Sequence, residues 1–179
     1  MKRVWIASAV LLFSTGLGLA AQGNSNKNTN TKPQSAIAVT LGNLGCSTGA
    51  GTDAFGATSW SWGATNTGDL ASGGGGGAGK VNVSDVNLTK AFDACSPALF
   101  GAVATGKHFP TLTLTHSNSD GTVTTLALTD VFVSSWSAGG SVSSEGASES
   151  VSFAFGKVCL TDGGSGSKFC YDIKGNKTF

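Results

Sequence analysis

Charged residues are few in this sequence, and arginine is almost absent. Asp, Glu, Lys and Arg together make up 12% of the 179 residues, and Arg3 is the only arginine. We expect Lys2 and Arg3 to be removed with an N-terminal segment; without them, nine of the 11 basic residues remain against ten acidic ones, a net charge of −1. Since the mature chain has no guanidinium group to read phosphates or bases, we expect no nucleic-acid partner.

Residues that usually perform catalysis or bind metals are also scarce. The two histidines, His108 and His116, lie in no recognised nucleophile or metal spacing, and no Cys-x-x-Cys pair is present. The acidic residues are dispersed, so only folding could bring together a carboxylate pair of the glycosidase type. We therefore predict no catalytic residue, no metal site and no cofactor, and a protein that is not an enzyme.

The N-terminus has the three regions of a secretory signal peptide. Met1-Lys2-Arg3 precedes an apolar run that ends in small residues, which predicts a signal peptide over 1–20. The alternative is a retained membrane anchor, which the glycines in the run disfavour. A flexible polar leader is predicted over 21–35, followed by one domain over 36–179. The protein is thus expected to be secreted, extracellular or periplasmic, with no stable membrane insertion after cleavage.

Four cysteines, an even number, lie in the mature chain, as is typical of an oxidising compartment. Three pairings are possible. Cys159 and Cys170 flank a glycine-rich turn, so a hairpin would place them opposite each other, and we favour that bridge. Cys46 and Cys95 would then form the second bridge. The alternative is that some of the four are buried free thiols.

The remaining pattern predicts a mainly β domain. Strict alternation of apolar and polar residues over Ala36–Leu41 and in several later segments predicts about seven strands. Ser96-Pro97 predicts a helix N-terminus and Gly106 its C-terminal end, the one convincing helix of the mature chain. Period two places Trp60 and Trp62 on one face of a strand and Ser61 on the other. The expected fold is a β-barrel or sandwich of about seven strands with one flanking helix.

A glycine run interrupts the strands. Residues 74–80 have the spacing of a phosphate-binding P-loop, but Val81 replaces the Ser or Thr that would bind magnesium. An alternating strand follows, whereas a P-loop needs a helix N-terminus facing the phosphates. We interpret the run as a long loop that lets backbone approach a neighbour closely.

Several segments, taken in order over most of residues 36–160, resemble the haemolysin-coregulated protein (Hcp) family of type VI secretion tube subunits. They are Ser61-Trp62-Gly63, the run Gly73-Gly74-Gly75-Gly76-Gly77-Ala78-Gly79-Lys80-Val81-Asn82-Val83, Leu88-Thr89-Lys90, Ser96-Pro97, Ala104-Thr105-Gly106-Lys107-His108-Phe109-Pro110, Val131-Phe132-Val133-Ser134-Ser135 and Glu149-Ser150-Val151-Ser152-Phe153. The resemblance implies an Hcp-like barrel with a flanking helix that assembles into homo-hexameric rings, stacked into a hollow tube.

The resemblance also implies roles for individual residues. Ser61 becomes a candidate for the pore-facing surface. Further candidate partners are secreted cargo and type VI spike components. A signal peptide and disulfides are departures from the family pattern. The competing hypothesis is a secreted monomeric β-barrel that binds a glycan or peptide. The ring-stacking loop is expected to consist of Gly73, Gly74, Gly75, Gly76, Gly77, Ala78, Gly79 and Lys80.

Overall fold

The computed structural model describes residues 35–66, 80–142 and 146–179. The predicted signal peptide, the leader before Ser35 and residues 73–79 of the glycine run lie outside these ranges. The described residues form thirteen strands and one helix. In chain order these are β1 (Ala36–Leu41), β2 (Ser47–Thr48), β3 (Gly51–Thr52), β4 (Ala54–Ala57), β5 (Ser59–Ser61), β6 (Ala64–Asn66), β7 (Val81–Val83), β8 (Val86–Ala91), α1 (Ser96–Thr105), β9 (His108–Ser117), β10 (Val123–Gly140), β11 (Ala147–Asp162), β12 (Lys168–Asp172) and β13 (Lys177–Thr178).

Nine of these strands form one antiparallel sheet that curls over on itself. Its order is β13-β12-β11-β10-β9-β1-β4, with β8 paired to β11 and β5 paired to β8. β4 and β5 are therefore both edge strands of this branched sheet, yet only Thr58 separates them in the chain. The N–H of Thr58 donates to the carbonyl of Thr89 at 2.8 Å, which continues the β5–β8 pairing. The mainly β, sandwich-like fold with one helix is the predicted fold class.

The strands β10 and β11 are the longest, with 18 and 16 residues. They pair with each other throughout, with a register shift between Val133 and Ser135. Along its other edge β11 pairs with β8 over Ser148–Phe153 and with β12 over Lys157–Thr161. β11 therefore pairs at one end with β8, the strand that precedes α1, and at the other end with β12 of the C-terminal hairpin.

The inner faces of the sheet form the hydrophobic core. Alternation places Leu114 of β9 between Val39 of β1 and Leu126 of β10, and all three side chains are 0% exposed. Each fully buried aliphatic side chain of this kind contributes about 1.5–3 kcal/mol relative to an exposed one. The core residues predicted from alternation are confirmed as buried; they are Leu112, Leu114, Leu126, Leu128, Val131 and Val133.

Helix α1 begins one residue earlier than the sequence pattern indicates. Its N-cap is Cys95, and no side chain caps it. Ser96 was expected as the cap but is the first helical residue and is fully buried, where its hydroxyl accepts the N–H of Asp93 at 2.8 Å. At the other end Gly106 has φ 62°, the left-handed conformation that glycine adopts without strain, as its predicted capping role requires.

The strand count exceeds the expected number of about seven, because predicted continuous strands are broken. The segment predicted over 57–65 is divided among β4, β5 and β6, and the segment over 81–89 is interrupted at Ser84-Asp85. The alternation changes phase at this interruption. There the chain passes from β7, in the two-stranded sheet with β6, to β8 in the nine-stranded sheet. Short strands such as β2 and β3 carry too few residues for a pattern to be seen.

Both disulfides pair the cysteines as the sequence favours. Cys46–Cys95 joins the segment after β1 to the start of α1, and Cys159–Cys170 joins β11 to β12. Asp53 organises the chain beside Cys46: its carboxylate accepts N–H bonds from Gly45 at 2.6 Å, Asn43 at 3.1 Å and Cys46 at 3.3 Å. These bonds, that of Gly45 foremost, lower the pKa of Asp53.

None of the helices in the described part of the chain is long and apolar enough to cross a membrane.

Candidate assembly surface

The predicted ring-stacking loop is the connection of a hairpin. Of its eight residues only Lys80 is described, so the conformation of the glycines themselves is outside the described residues. The strands on either side, β6 and β7, pair antiparallel with Ala64 opposite Val83 and Asn66 opposite Val81. Lys80 is thus followed by a strand, and no helix N-terminus follows the run to bind phosphate. This geometry fits the interpretation as a loop between strands.

The base of this hairpin is fixed to the main sheet. The N–H of Ser84 donates to the carbonyl of Gly63 at 2.9 Å, and the N–H of Gly63 donates to Ser84 Oγ at 3.0 Å. These two residues connect β5 to β6 and β7 to β8, so the hairpin stem begins where β5 and β8 stop pairing. The stem of this hairpin therefore starts at a defined point on the fold.

Ser61 lies on the outer face of β5, and the two tryptophans beside it point the other way. Ser61 is exposed, whereas Trp60 and Trp62 are partly buried against the core. The indole N–H of Trp60 donates to His116 Nδ1 at 3.3 Å, and the ring of Trp62 lies 6.4 Å from that of Phe155. The predicted separation of faces is present in the structure.

Ser61 belongs to a wider surface, which we call the polar face, on the outer side of β5, β8, β11 and β10. One row of directly paired residues crosses these four strands as Ser61, Asn87, Ser152 and Ser135. A second row crosses them as Ser59, Thr89, Ser150 and Ser137. All eight side chains are short, polar and uncharged, and seven of the eight residues are exposed.

Hydrogen bonds run across the polar face between strands. Ser135 Oγ donates to Ser152 Oγ at 2.8 Å, and Ser152 Oγ donates to Asn87 Oδ1 at 2.6 Å. Cross-strand pairs of this kind stabilise a sheet by roughly 0.2–1 kcal/mol each. The face is therefore hydrophilic, and three of its side chains are hydrogen-bonded to one another.

A buried ion pair lies on the inner side of the same strands. Lys90 of β8 is directly opposite Glu149 of β11, and Lys90 Nζ lies 2.6 Å from Glu149 Oε1, with both side chains 0% exposed. Ser96 Oγ donates to the same oxygen at 2.9 Å, and the indole of Trp136 donates to Oε2 at 2.9 Å. Lys90 Nζ also lies 2.9 Å from Asp93 Oδ1. This network joins β8, α1, β10 and β11.

The C-terminal hairpin is held by the Cys159–Cys170 disulfide and by a well-organised turn. Cys159 lies directly opposite Cys170 across β11 and β12. In the turn, Ser165 Oγ donates to Asp162 at 2.6 Å, and the N–H groups of Ser165 and Gly164 donate to the same carboxylate. The Ser165 hydroxyl is the main cause of the lowered pKa of Asp162.

The side chains of both histidines contact other side chains of the sheet. His116 accepts the indole hydrogen of Trp60, and His108 Nδ1 lies 3.5 Å from Asp130 with both side chains largely exposed. Within residues 35–66, 80–142 and 146–179, no three His, Cys, Asp or Glu side chains are placed to hold a metal ion.

Sequence reasoning found Ser61 but missed the rest of the polar face and the ion pair beneath it. The signal was present in the alternation. Lys90 shares the inward phase of Val86 and Leu88, and Glu149 shares that of Val151 and Phe153. The outward phase of the same strands carries the short polar residues Asn87, Thr89, Ser150 and Ser152. What alternation could not supply is the register that aligns them.

A family model described as "Type VI secretion system effector, Hcp" matches residues 37–161. Protein hcp1 of Pseudomonas aeruginosa is 42% identical over 83 residues, 44% of this chain and 51% of that protein, so the alignment spans about half of the relative's length.

Solved structures resemble the whole domain. The crystal structure of Hcp1 from Salmonella typhimurium has a TM-score of 0.69 at 24% identity and covers 82% of this chain and 100% of its own. A type VI secretion system effector from Yersinia pestis has a TM-score of 0.62 at 19% identity and covers 76% and 99%. At such identities the likeness establishes the fold.

Proposed function

Because the family model covers residues 37–161 of 179, the chain belongs to the Hcp family of type VI secretion proteins, and we propose that it is an exported structural member which forms hexameric rings and stacked tubes. The observation that carries this proposal is the polar face: two rows of paired Ser, Thr and Asn side chains across four strands. In the proposed assembly this face, including Ser61, lines the channel.

The chemistry of the polar face suits a channel wall. None of its eight residues is charged or aromatic, so a passing polypeptide meets no fixed ion partner and no apolar platform. Ser135, Ser152 and Asn87 are also hydrogen-bonded to one another, which leaves them less available to hold a ligand. A binding site needs the opposite, a concave and partly apolar surface with a few convergent polar groups.

Ring stacking is assigned to Gly73–Lys80. The hairpin formed by β6 and β7 supports this assignment, because it presents the run at one end of a stem anchored by Gly63 and Ser84. Missing side chains allow close backbone approach to a neighbour. A contact of this head-to-tail kind repeats without limit and builds a filament, whereas a two-fold contact ends at a dimer.

Export by the general secretory route completes the proposal. The predicted signal peptide over 1–20 supports it, and so do the two disulfides, since such bonds persist in oxidising compartments. Tubes would then be assembled outside the cytoplasm, with secreted cargo or type VI spike components as further partners. A reducing cytoplasm would leave the four cysteines as thiols.

A second candidate function is a secreted monomer that binds a glycan or peptide. A cavity of about 550 Å³ favours it, lined in part by Trp60, His116, Ser59 and Thr58, because an aromatic ring beside hydroxyl groups suits a sugar. The two functions differ in mass: the monomer has one copy, whereas the proposed ring has six.

Deletion of three glycines, Gly74–Gly76, tests the stacking assignment. We expect the rings to persist and the stacks to be lost in negative-stain images, because the loop is too short to reach the next ring. Deletion of three leader residues, Ser25–Lys27, is the matched control and should leave the stacks intact. Loss of folding in the glycine deletion would show that the run serves the core, and unchanged stacks would refute the assignment.

A further inference from the structure

An apolar groove lies between the stem of the glycine hairpin and the C-terminal hairpin. It has a volume of about 270 Å³, and every residue lining it is apolar or aromatic. Leu160 and Phe169, which pair directly across β11 and β12, are 38% and 62% exposed. The lining residues are Trp62, Ala64, Val81, Val83, Val158, Leu160, Phe169 and Tyr171.

The surface that lines the groove is entirely apolar. The indole N–H of Trp62 is buried and has no hydrogen-bond partner among the described residues. Exposed apolar surface of this contiguous kind marks a site of interaction more often than scattered single residues do. An apolar occupant would remove Leu160 and Phe169 from water.

One wall of the groove lies beyond the residues that the family model matches. The family match ends at residue 161, whereas Phe169 and Tyr171 lie beyond it on β12. The Cys159–Cys170 disulfide fixes that wall to β11, on the opposite face of the hairpin from the groove, because neighbouring residues of a strand point to opposite faces. The other wall, with Val81 and Val83, is the stem of the proposed stacking loop.

An exposed apolar side chain lies at the opposite end of the longest hairpin. Val142, just after β10, is fully exposed at the tip between β10 and β11. From Ala147, where β11 begins beside that tip, Leu160 lies 13 residues further along the strand, roughly 43 Å of extended chain. Val142 is therefore too far from the groove of its own chain to fill it.

We propose that the groove receives the Val142 tip of a second copy of this chain in the adjoining ring. A knob at one end and a groove at the other make a head-to-tail contact, which repeats along a filament. The groove also borders the stem of the stacking loop, so the two contacts would act at the same junction. This inference rests on the proposed ring and tube assembly, and it adds a second contact to the glycine run.

Charge substitutions in the full chain test the contact. V142K and L160E each place an unpaired charge in the junction, so each should reduce the fraction of stacked rings by roughly tenfold or more. The double variant V142K/L160E pairs the two charges across the junction and should restore stacking. S167E, an exposed position of the same hairpin outside the groove, is the matched control. Urea unfolding and non-reducing electrophoresis check that fold and disulfides are retained.

The outcomes separate this contact from the assembly itself. Normal stacking by either single variant overturns the inference, and so does failure of the double variant to restore stacks, since the groove would then serve an apolar ligand or another partner. Rings of the unmodified chain that never stack overturn the contact but leave the hexamer. A monomeric unmodified chain overturns the proposed function, and the contact with it.

Discussion

The buried Lys90–Glu149 pair allows the most quantitative prediction. Replacing Lys90 by Met keeps the apolar stem but removes the ammonium that lies 2.6 Å from Glu149 Oε1. Glu149 retains the Ser96 hydroxyl and the Trp136 indole as donors, yet its charge is left without a counter-ion in a site that is 0% exposed. Breaking one partner of such a pair costs about 3–5 kcal/mol of unfolding free energy.

The same reasoning predicts the other arms of a double-mutant cycle. E149Q leaves Lys90 near Asp93, which is 29% exposed on its side chain, so its cost should be at the lower end of that range. K90M/E149Q removes both charges, and we expect it to be less destabilised than K90M alone. K157M is the control, because Lys157 and Asp172 form a partly exposed pair at 3.5 Å, worth about 0–1 kcal/mol.

Urea unfolding at pH 7 with disulfides intact provides the assay, the free energy being the midpoint times the slope. The cycle gives the coupling between the two residues once both single variants are measured. If K90M loses no more unfolding free energy than K157M, the buried Lys90–Glu149 pair does not stabilise the fold as we propose. Strict additivity of the two single costs would refute the coupling.

Two further predictions concern the disulfides and the pH dependence of stability. From loop-closure entropy, the 11-residue loop of Cys159–Cys170 should stabilise the fold by about 2.8 kcal/mol and the 49-residue loop of Cys46–Cys95 by about 4.1 kcal/mol. In urea unfolding, replacing Cys46 and Cys95 by serine should therefore cost more stability than replacing Cys159 and Cys170. The N–H bonds that the Asp53 carboxylate accepts lower its pKa below the usual 3.8. The ionised carboxylate therefore stabilises the fold above pH 3.8, and this stabilisation is lost as the pH falls through the lowered pKa. D53N should therefore lose less stability than the unmodified chain between pH 5 and pH 3, and parallel curves would contradict this.

Alternation and turn residues predict most of the sheet in this protein. The strand Ala36–Leu41 has the predicted bounds, because its alternation is unbroken and Gly42 follows it. The Cys159–Cys170 pairing followed from the turn between them, since a hairpin requires only local information. These features depend on residues close together in the chain.

Features that depend on register were not predictable in this way. Lys90 and Glu149 are 59 residues apart, and nothing local indicates that they are opposite each other. Ser96 has the residue type of an N-cap, but a buried hydrogen-bond network takes its hydroxyl instead. The rows of the polar face likewise depend on how β8 and β10 align on β11.

Electron cryo-microscopy of the exported, disulfide-bonded chain tests the central claim most directly. We expect hollow tubes of six-membered rings, with Ser61 and Ser152 on the channel wall and Gly73–Lys80 at the junction between rings. A uniform monomer at high concentration, or rings whose channel is lined by another surface, would contradict it.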